Sequence, residues 1–225
     1  MNLVLTNDDG IAAPGIKALQ QAVDGKGIIV APKDHLSGCG HQVTTHLALG
    51  VVSRGDREYA VTGTPADCTR LAINQICPKI DWVLSGINAG GNLGVDVYTS
   101  GTVAAVREAA MHGINGIAIS HWINKPLTID WDWATSWTRK VLAILWTRSL
   151  PKQSFWNVNL PHLKAGSRDP QIIFCHPSKE PLPAKYRAEG DLYYYEGVYA
   201  QRDRSSGSDV DVCFSGNIAI TQINL

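Results

Sequence analysis

Short apolar runs alternate with amphipathic stretches along the first 160 residues. The apolar runs are four to seven residues long and are typical of buried strands, whereas the amphipathic stretches repeat apolar positions every three to four residues, as helices do. A strand, a helix and a second strand within the first 32 residues predict a βαβ unit and therefore a parallel sheet with right-handed crossovers. Predicted strands lie at 3–6, 27–32, 80–84, 114–120 and 156–160, and predicted helices at 13–23, 65–76, 98–112 and 133–145, with a hairpin turn at 54–56.

The pattern changes after residue 161. Prolines at 170, 177, 181 and 183 interrupt the segment, a tyrosine-rich run follows at 192–196, and no helical period is visible. We therefore predict an α/β core over residues 1–161 and an extended arm of hairpins or loops over 162–225, within the same domain. A tyrosine-rich arm of this kind suits packing against another subunit.

Composition narrows the class of protein. The 225 residues are 44% hydrophobic and 18% charged, and 20 basic residues balance 20 acidic ones, so charge does not favour a nucleic-acid polymer or a membrane surface as partner. No apolar run approaches the roughly 20 residues of a membrane helix. Met1 leads directly into the first strand, so no signal peptide is expected. The five scattered cysteines form no C-x-x-C pair, which favours a reducing cytoplasm.

The end of the first strand carries two adjacent carboxylates. Asp8 and Asp9 follow the apolar run and precede Gly10, whose freedom at positive φ permits a turn that lets both side chains converge. Buried carboxylates require a positive partner, and a hard divalent cation is the simplest one. The alternative is an ordinary turn in which Asp8 caps the next helix.

Two further loops follow predicted strands and should reach the same edge of the sheet. With Ser37 and Asn88 they add a hydroxyl and an amide oxygen, which completes an oxygen-only donor set for Mg²⁺, Mn²⁺ or Ca²⁺. Ser100, Gly101 and Thr102 open a helix and offer free N–H groups to an anion. A metal beside such a helix end suggests a phosphate ester as substrate. Ser37 and Thr102 could equally be helix caps, and we interpret His35 and His41 as surface or supporting groups.

The motifs, taken together and in order, closely resemble the SurE family of stationary-phase survival proteins, which are metal-dependent nucleotidases and acid phosphatases. They cover the first 120 residues, and a later strand end also matches. The matching segments are Thr6-Asn7-Asp8-Asp9-Gly10-Ile11, Ser37-Gly38 with Gly40-His41, Thr62-Gly63-Thr64-Pro65-Ala66-Asp67-Cys68, Ser85-Gly86-Ile87-Asn88 with Gly91-Asn92-Leu93-Gly94, Ser100-Gly101-Thr102-Val103, and Asn157-Val158-Asn159-Leu160-Pro161.

The resemblance implies a Rossmann-like, three-layer α/β fold and hydrolysis of nucleoside 5′- or 3′-monophosphates, with short polyphosphate as a further substrate. Carried across by motif, Asp8, Asp9, Ser37 and Asn88 would bind one divalent metal per subunit. The phosphate would be held by Asn92, Ser100, Gly101 and Thr102. Asp8 or Asp9 would act with the metal to activate water, and the arm would join subunits into a homodimer or homotetramer.

The sequence also departs from the family pattern. His35 and Leu36 precede the metal-loop serine where the family usually has an arginine immediately before it, which bears on substrate preference. Gly207-Ser208-Asp209 stands where the family has Gly-Thr-Asp, and the chain stops at Leu225 without the longer tail of many members, which predicts a smaller or differently joined oligomer. Two other functions fit the same fold: a nucleotide sensor without turnover, and a sugar-nucleotide transferase using the acidic pair.

Overall fold

The computed structural model describes residues 1–164 and 166–225; residue 165, inside the predicted arm, lies outside the described residues. The element order confirms the α/β prediction. The strands are β1 (Leu3–Thr6), β2 (Ile28–Pro32), β3 (Val51–Gly55), β4 (Glu58–Val61), β5 (Trp82–Ala89), β6 (Asn115–His121), β7 (Ser154–Leu160), β8 (Ile172–Phe174), β9 (Tyr186–Glu189), β10 (Leu192–Tyr195) and β11 (Ile218–Asn224). The helices are α1 (Pro14–Ala22), α2 (Pro65–Leu71), α3 (Gly101–Met111), α4 (Trp131–Leu145) and α5 (Asp209–Phe214).

Nine of the strands in the described residues form one sheet in the order β3-β4-β2-β1-β5-β6-β7-β11-β8. The six adjacent strands β4, β2, β1, β5, β6 and β7 are all parallel. The strands β3 and β11 run antiparallel to their neighbours β4 and β7. The chain leaves β1 to build β2 on one side and later returns to build β5 on the other. The strand order therefore switches at β1 and β5, the place where open α/β sheets bind ligands.

Helices cover both faces of the sheet, which gives the three layers. One apolar cluster joins α1 and α4 to the sheet through residues such as Ile16, Leu19 and Leu142. The other joins α2 and α3 to the opposite face through Cys68, Val103 and Val106. Trp82, Trp137 and Trp156 are core residues, while Trp133 is half-buried and packs against the first cluster.

Local sequence explains where the helices begin. Thr64 caps α2, whose start matches the predicted helix at 65–76: its hydroxyl accepts from the Asp67 N–H at 3.1 Å, and the Asp67 carboxylate accepts from the Thr64 N–H at 3.0 Å. Ser100 caps α3 by accepting from the Val103 N–H at 3.1 Å. Asp130 caps α4 in the same way, through the N–H groups of Asp132 and Trp133.

The segment after residue 161 differs in part from the prediction of hairpins or loops. It contains the short helix α5, and its final strand β11 enters the main sheet between β7 and β8. Burial explains this placement, because Ile218 and Ile220 are almost fully buried in the first apolar cluster. The hairpin β9–β10 forms a separate two-stranded sheet in which all eight strand residues are exposed.

The glycine-rich segment after β5 begins later than predicted. The predicted strand ends at Leu84, but β5 continues to Ala89 after a register shift against β6 between Ser85 and Asn88. Pairing resumes at Asn88 with Ser120. Asn88 therefore lies near the end of an irregular strand rather than in a free loop. Its pairing with β6 fixes its backbone more firmly than a loop would.

Candidate active site

The acidic turn at the carboxyl end of β1 is held by hydrogen bonds from the Asn7 side chain and the Ile11 backbone. Asn7 is buried, and its amide nitrogen donates to the Gly10 carbonyl at 2.8 Å, which closes the turn. Gly10 has φ +95°, a conformation that costs little only for glycine. The Ile11 N–H then donates to the Pro32 carbonyl of β2 at 2.8 Å. The turn places Asp8 and Asp9 at the switch point of the sheet, as the sequence predicts.

Asp8 is a buried carboxylate with one protein donor on its side chain. It is 4% exposed, and the Thr102 hydroxyl donates to its Oδ1 at 2.5 Å. Burial raises the pKa of Asp8 above its ordinary value, and the neighbouring negative charge of Asp9 raises it further; the hydrogen bond from Thr102 opposes both effects.

Asp9 connects the end of β1 to the end of β5. Its Oδ2 accepts from the Ala89 N–H at 3.1 Å, and its Oδ1 lies 3.3 Å from Nδ1 of the exposed His35. Each carboxylate of the pair thus has one oxygen engaged by the body of the protein, Asp8 by Thr102 and Asp9 by Ala89. The second oxygen of Asp9 faces the exposed His35.

Ser37 and Asn88 are each one residue away from a direct bond to this pair. The Leu36 N–H donates to the Asp8 carbonyl at 2.8 Å, which ties the Ser37 loop to the acidic turn, and the Ser37 side chain is exposed. Asn88 precedes Ala89, and its amide nitrogen donates to the Gly90 carbonyl at 2.8 Å. That bond leaves the amide oxygen of Asn88 as a free acceptor.

The start of α3 packs directly against the acidic pair. A Cβ added at Gly101 would lie 3.0 Å from Asp8 Cβ and 2.9 Å from Cys39 Sγ, so a side chain there would displace one of them. Helix geometry leaves the N–H groups of Gly101 and Thr102 without intrahelical partners. The sequence prediction of an anion-binding helix start beside the carboxylates therefore has the required local structure.

Asn92 lies in a buried amide network rather than at an open surface. Its amide nitrogen donates to the Ser120 hydroxyl at 2.7 Å, and its carbonyl accepts from both Asn157 and Asn159. The Asn92 N–H in turn donates to Asn159 Oδ1 at 2.8 Å. This network fixes the glycine-rich segment to β6 and β7, and phosphate contact by Asn92 stays a prediction.

The two histidines and the cysteine near the site take supporting positions. His41 donates through Nε2 to the Glu108 carboxylate at 2.7 Å, well along α3, while His35 contacts Asp9. Cys39 packs between Asp8 and Gly101, and burial together with the negative charge of Asp8 raises its thiol pKa. Cys39 is therefore a neutral packing residue.

The donor set fits a hard divalent cation. Among the described residues, no lysine or arginine forms an ion pair with Asp8 or Asp9, and His35 is the one basic side chain that reaches Asp9. The same part of the chain holds no group of three or more His, Cys, Asp or Glu side chains suited to a metal. Two carboxylates, a hydroxyl and an amide oxygen suit Mg²⁺, Mn²⁺ or Ca²⁺ instead.

The sequence does not predict a buried ion pair that joins the segment after β5 to the C-terminal segment. Arg202 is fully buried in its side chain, and its Nη1 donates to Asp96 Oδ2 at 2.8 Å; the Tyr199 hydroxyl donates to the same oxygen at 2.5 Å. Asp209, within the Gly-Ser-Asp element, accepts from the Gly94 and Ser178 N–H groups. Arg202 and Asp96 are 106 residues apart, and Asp209 and Gly94 are 115 apart, so no local pattern points to them.

Known proteins with similar sequences and structures bear on this arrangement. The family model described as survival protein SurE matches residues 3–180. A provisionally named 5′-nucleotidase from Synechocystis sp. (strain ATCC 27184 / PCC 6803 / Kazusa) is 60% identical, with both chains fully covered. The 5′-nucleotidase SurE of Paramagnetospirillum magneticum is 36% identical over 99% of this chain and 89% of its own. The crystal structure of the SurE protein from Aquifex aeolicus superimposes with a TM-score of 0.88 at 29% identity, covering 100% of this chain and 93% of that one. This protein therefore belongs to the SurE family.

Proposed function

We propose that this protein is a metal-dependent phosphomonoesterase that hydrolyses nucleoside 5′-monophosphates to nucleoside and phosphate. Nucleoside 3′-monophosphates and short polyphosphate fall within the same chemistry. The observation that carries the proposal is the pair of adjacent carboxylates, the half-buried Asp9 and the buried Asp8, with Asp8 packed against the start of α3. The relatives named as 5′-nucleotidases support it, because they align with this chain over its full length.

Asp8, Asp9, Ser37 and Asn88 would hold one divalent metal per subunit, with Mg²⁺ or Mn²⁺ as the working ion and Ca²⁺ as a further oxygen-preferring ion. When bound, that metal would supply positive charge to the phosphoryl group and act as a Lewis acid. The raised pKa of Asp8 supports this assignment, since a nearby cation would offset the cost of burying two negative charges.

The protein's own groups orient the substrate and handle the proton. The N–H groups at the start of α3, at Gly101 and Thr102, with the positive end of the α3 dipole, would receive the phosphoryl oxygens, and Ser100 would fix the geometry of that helix start. Asn92 would complete the phosphate contacts. Asp8 or Asp9 would accept a proton from the attacking water.

The hairpin β9–β10 supports a further part of the proposal, a homodimer or homotetramer joined through the arm. Leu192 and Tyr193 are 62% and 72% exposed, which is unusual for large apolar side chains in a single chain. Light scattering should give a mass of two or four subunits for the wild type and a smaller one for Leu192→Ser/Tyr193→Ser. An unchanged mass would remove the hairpin from the interface.

We also propose that the protein acts in the cytoplasm on free nucleotides. All five cysteines are free thiols, which suits a reducing compartment. No helix in the described part of the chain has the length and apolar character needed to span a bilayer. Fractionation of cells expressing the tagged protein, with a periplasmic marker as control, tests the compartment, and recovery outside the cytoplasmic fraction would contradict it.

The test of the activity compares Asp8→Asn with Asp56→Asn, an exposed aspartate in the turn between β3 and β4. Phosphate release from nucleoside 5′- and 3′-monophosphates with Mg²⁺ or Mn²⁺ should be lost in the first variant and retained in the second. Circular dichroism should show both variants folded. Full activity of Asp8→Asn would refute the site. If the wild-type protein binds nucleotide but releases no phosphate, the result would indicate a sensor.

A further inference from the structure

The loop that carries the candidate metal ligand Ser37 is attached to the body of the protein on both sides of that residue. On one side the Leu36 N–H donates to the Asp8 carbonyl at 2.8 Å. On the other side His41 donates through Nε2 to the Glu108 carboxylate at 2.7 Å. Within the described part of the chain, the four residues between these attachments form no hydrogen bond to a residue outside the loop. The position of the Ser37 hydroxyl therefore depends on the two attachments.

Glu108 is a buried carboxylate that helix stability does not explain. Its side chain is 7% exposed, and it lies in the last turn of α3, where the helix dipole disfavours a negative charge. His41 bonds to its Oε2, while His112 Nε2 lies 3.2 Å and Arg70 Nε 3.6 Å from its Oε1. Both carboxylate oxygens are therefore engaged, and one of them holds the loop.

A second contact fixes which ring nitrogen of His41 faces Glu108. Nη1 of Arg107, the preceding residue of α3, lies 3.4 Å from Nδ1 of His41, and its Nη2 donates to the Val97 carbonyl. A guanidinium group only donates hydrogen bonds, so Nδ1 is the acceptor and Nε2 carries the hydrogen that bonds to Glu108. Two consecutive residues of α3 thus hold the ring in one orientation.

The chain beyond His41 is held separately, by α2. The Thr64 hydroxyl donates to the Gln42 carbonyl at 2.6 Å, and the Thr44 N–H donates to the Asp67 carboxylate at 2.9 Å. These bonds do not involve α3. A change at His41 therefore removes the hydrogen bonds between the loop and α3 while the rest of the segment stays attached.

We infer that His41, held by Glu108, is a positioning residue that keeps the Ser37 hydroxyl beside Asp8 and Asp9. The helix that carries Glu108 begins at the proposed phosphate site, so one rigid element aligns both the metal ligand and the phosphoryl group. Groups that orient a metal ligand raise metal affinity, because less order has to be gained on binding. The inference rests on the proposed nucleotidase function and adds the residues that preorganise its metal site.

The test compares two histidines that contact the same carboxylate. His41→Leu removes the bond between Glu108 and the loop, whereas His112→Leu removes a bond local to the end of α3 and is the matched control. A Mn²⁺ titration followed by electron paramagnetic resonance should give His41→Leu a Kd about tenfold above wild type. The control should stay within about twofold of wild type. His41→Gln, whose amide nitrogen lies as many bonds from the backbone as Nε2, should restore the wild-type Kd.

Phosphate release adds a readout that general damage to the fold would not reproduce. In His41→Leu the Mn²⁺ concentration for half-maximal release should rise about tenfold. At saturating Mn²⁺, kcat should stay within about threefold of wild type, because the bound ion itself then holds Ser37. A loss of kcat at saturating Mn²⁺ together with an unchanged Mn²⁺ Kd would overturn the positioning role.

The binding measurement also separates this inference from the proposed function. His41→Ala, which removes the ring without adding bulk, serves if His41→Leu fails to fold. Equal Mn²⁺ Kd values for the wild type and the His41 variant would overturn the positioning role and leave the nucleotidase intact. The expected difference in Kd, in a protein that releases no phosphate from any nucleotide, would support the positioning role and contradict the nucleotidase. A wild type that binds no Mn²⁺ would overturn both.

Discussion

Thr102→Val tests whether the hydrogen bond to Asp8 is part of the active site. Valine has nearly the same shape, so the change removes a hydroxyl from a fully buried position without opening a cavity. The lost bond is the 2.5 Å contact from Thr102 to Asp8 Oδ1. A hydrogen bond to a charged group contributes about 1.5–3 kcal/mol. If that energy orients the reacting carboxylate, kcat/KM should fall about 10- to 150-fold.

Stability should fall together with activity. Asp8 would be left in a buried site without its side-chain donor, at a cost of about 2 kcal/mol, which for a chain of this size lowers Tm by about 4–8 °C. Thr102→Ser keeps the hydroxyl and should recover most of the activity. The assays are phosphate release from a nucleoside 5′-monophosphate under metal saturation and thermal unfolding of the metal-free protein.

Thr138→Val provides the matched control, because Thr138 is also fully buried but its hydroxyl has no hydrogen-bond partner among the described residues. Removing that hydroxyl should leave activity unchanged and Tm equal or slightly higher. Thr102→Val with wild-type kcat/KM and Tm would refute the claim that this bond supports the carboxylate. Equal effects of the two variants would show that any buried threonine gives the result.

Two further predictions concern the regions around the site. Burial lowers the pKa of His121 to about 4. In the unfolded state the His121 ring binds its proton near pH 6.5. The contribution of His121 to the free energy of unfolding should therefore be complete above pH 6.5 and fall by about 3 kcal/mol as the pH drops towards 4. Denaturant titrations at pH 7 and 4.5 should show a smaller pH difference in His121→Gln, and an equal difference would exclude His121 as the cause. Arg202→Met leaves the Asp96 carboxylate buried without its cation, so the free energy of unfolding should fall by about 3–5 kcal/mol and Tm by about 10 °C. A Tm within about 2 °C of wild type would show that the ion pair does not secure the C-terminal segment.

The sequence predicts the core elements well because their signals are local. The apolar run of β1, the cap at Thr64 and the helix start at Ser100 each depend on residues within one turn or strand, and the structure confirms them. The acidic turn at Asp8 is equally local. Convergence of the loops on one edge follows from the parallel sheet, which the alternation of strands and helices already indicates.

The C-terminal segment could not be predicted in the same way. Helix α5 spans six residues, too few to show a helical period, and β11 finds its partners β7 and β8 far away in the sequence. The bond between Arg202 and Asp96 joins residues 106 positions apart. The glycines that interrupt the run predict a loop at Asn88, yet the shifted register with β6 lets β5 continue through this residue.

The central claim is that Asp8, Asp9, Ser37 and Asn88 form a divalent-metal site for phosphate-ester hydrolysis. The most direct test is phosphate release from a panel of nucleoside 5′- and 3′-monophosphates with Mg²⁺ or Mn²⁺, repeated with a chelator and after the metal is restored. We expect that the chelator abolishes phosphate release and that added metal restores it. Release that persists in full after chelation, or nucleotide binding without release under any metal, would contradict it.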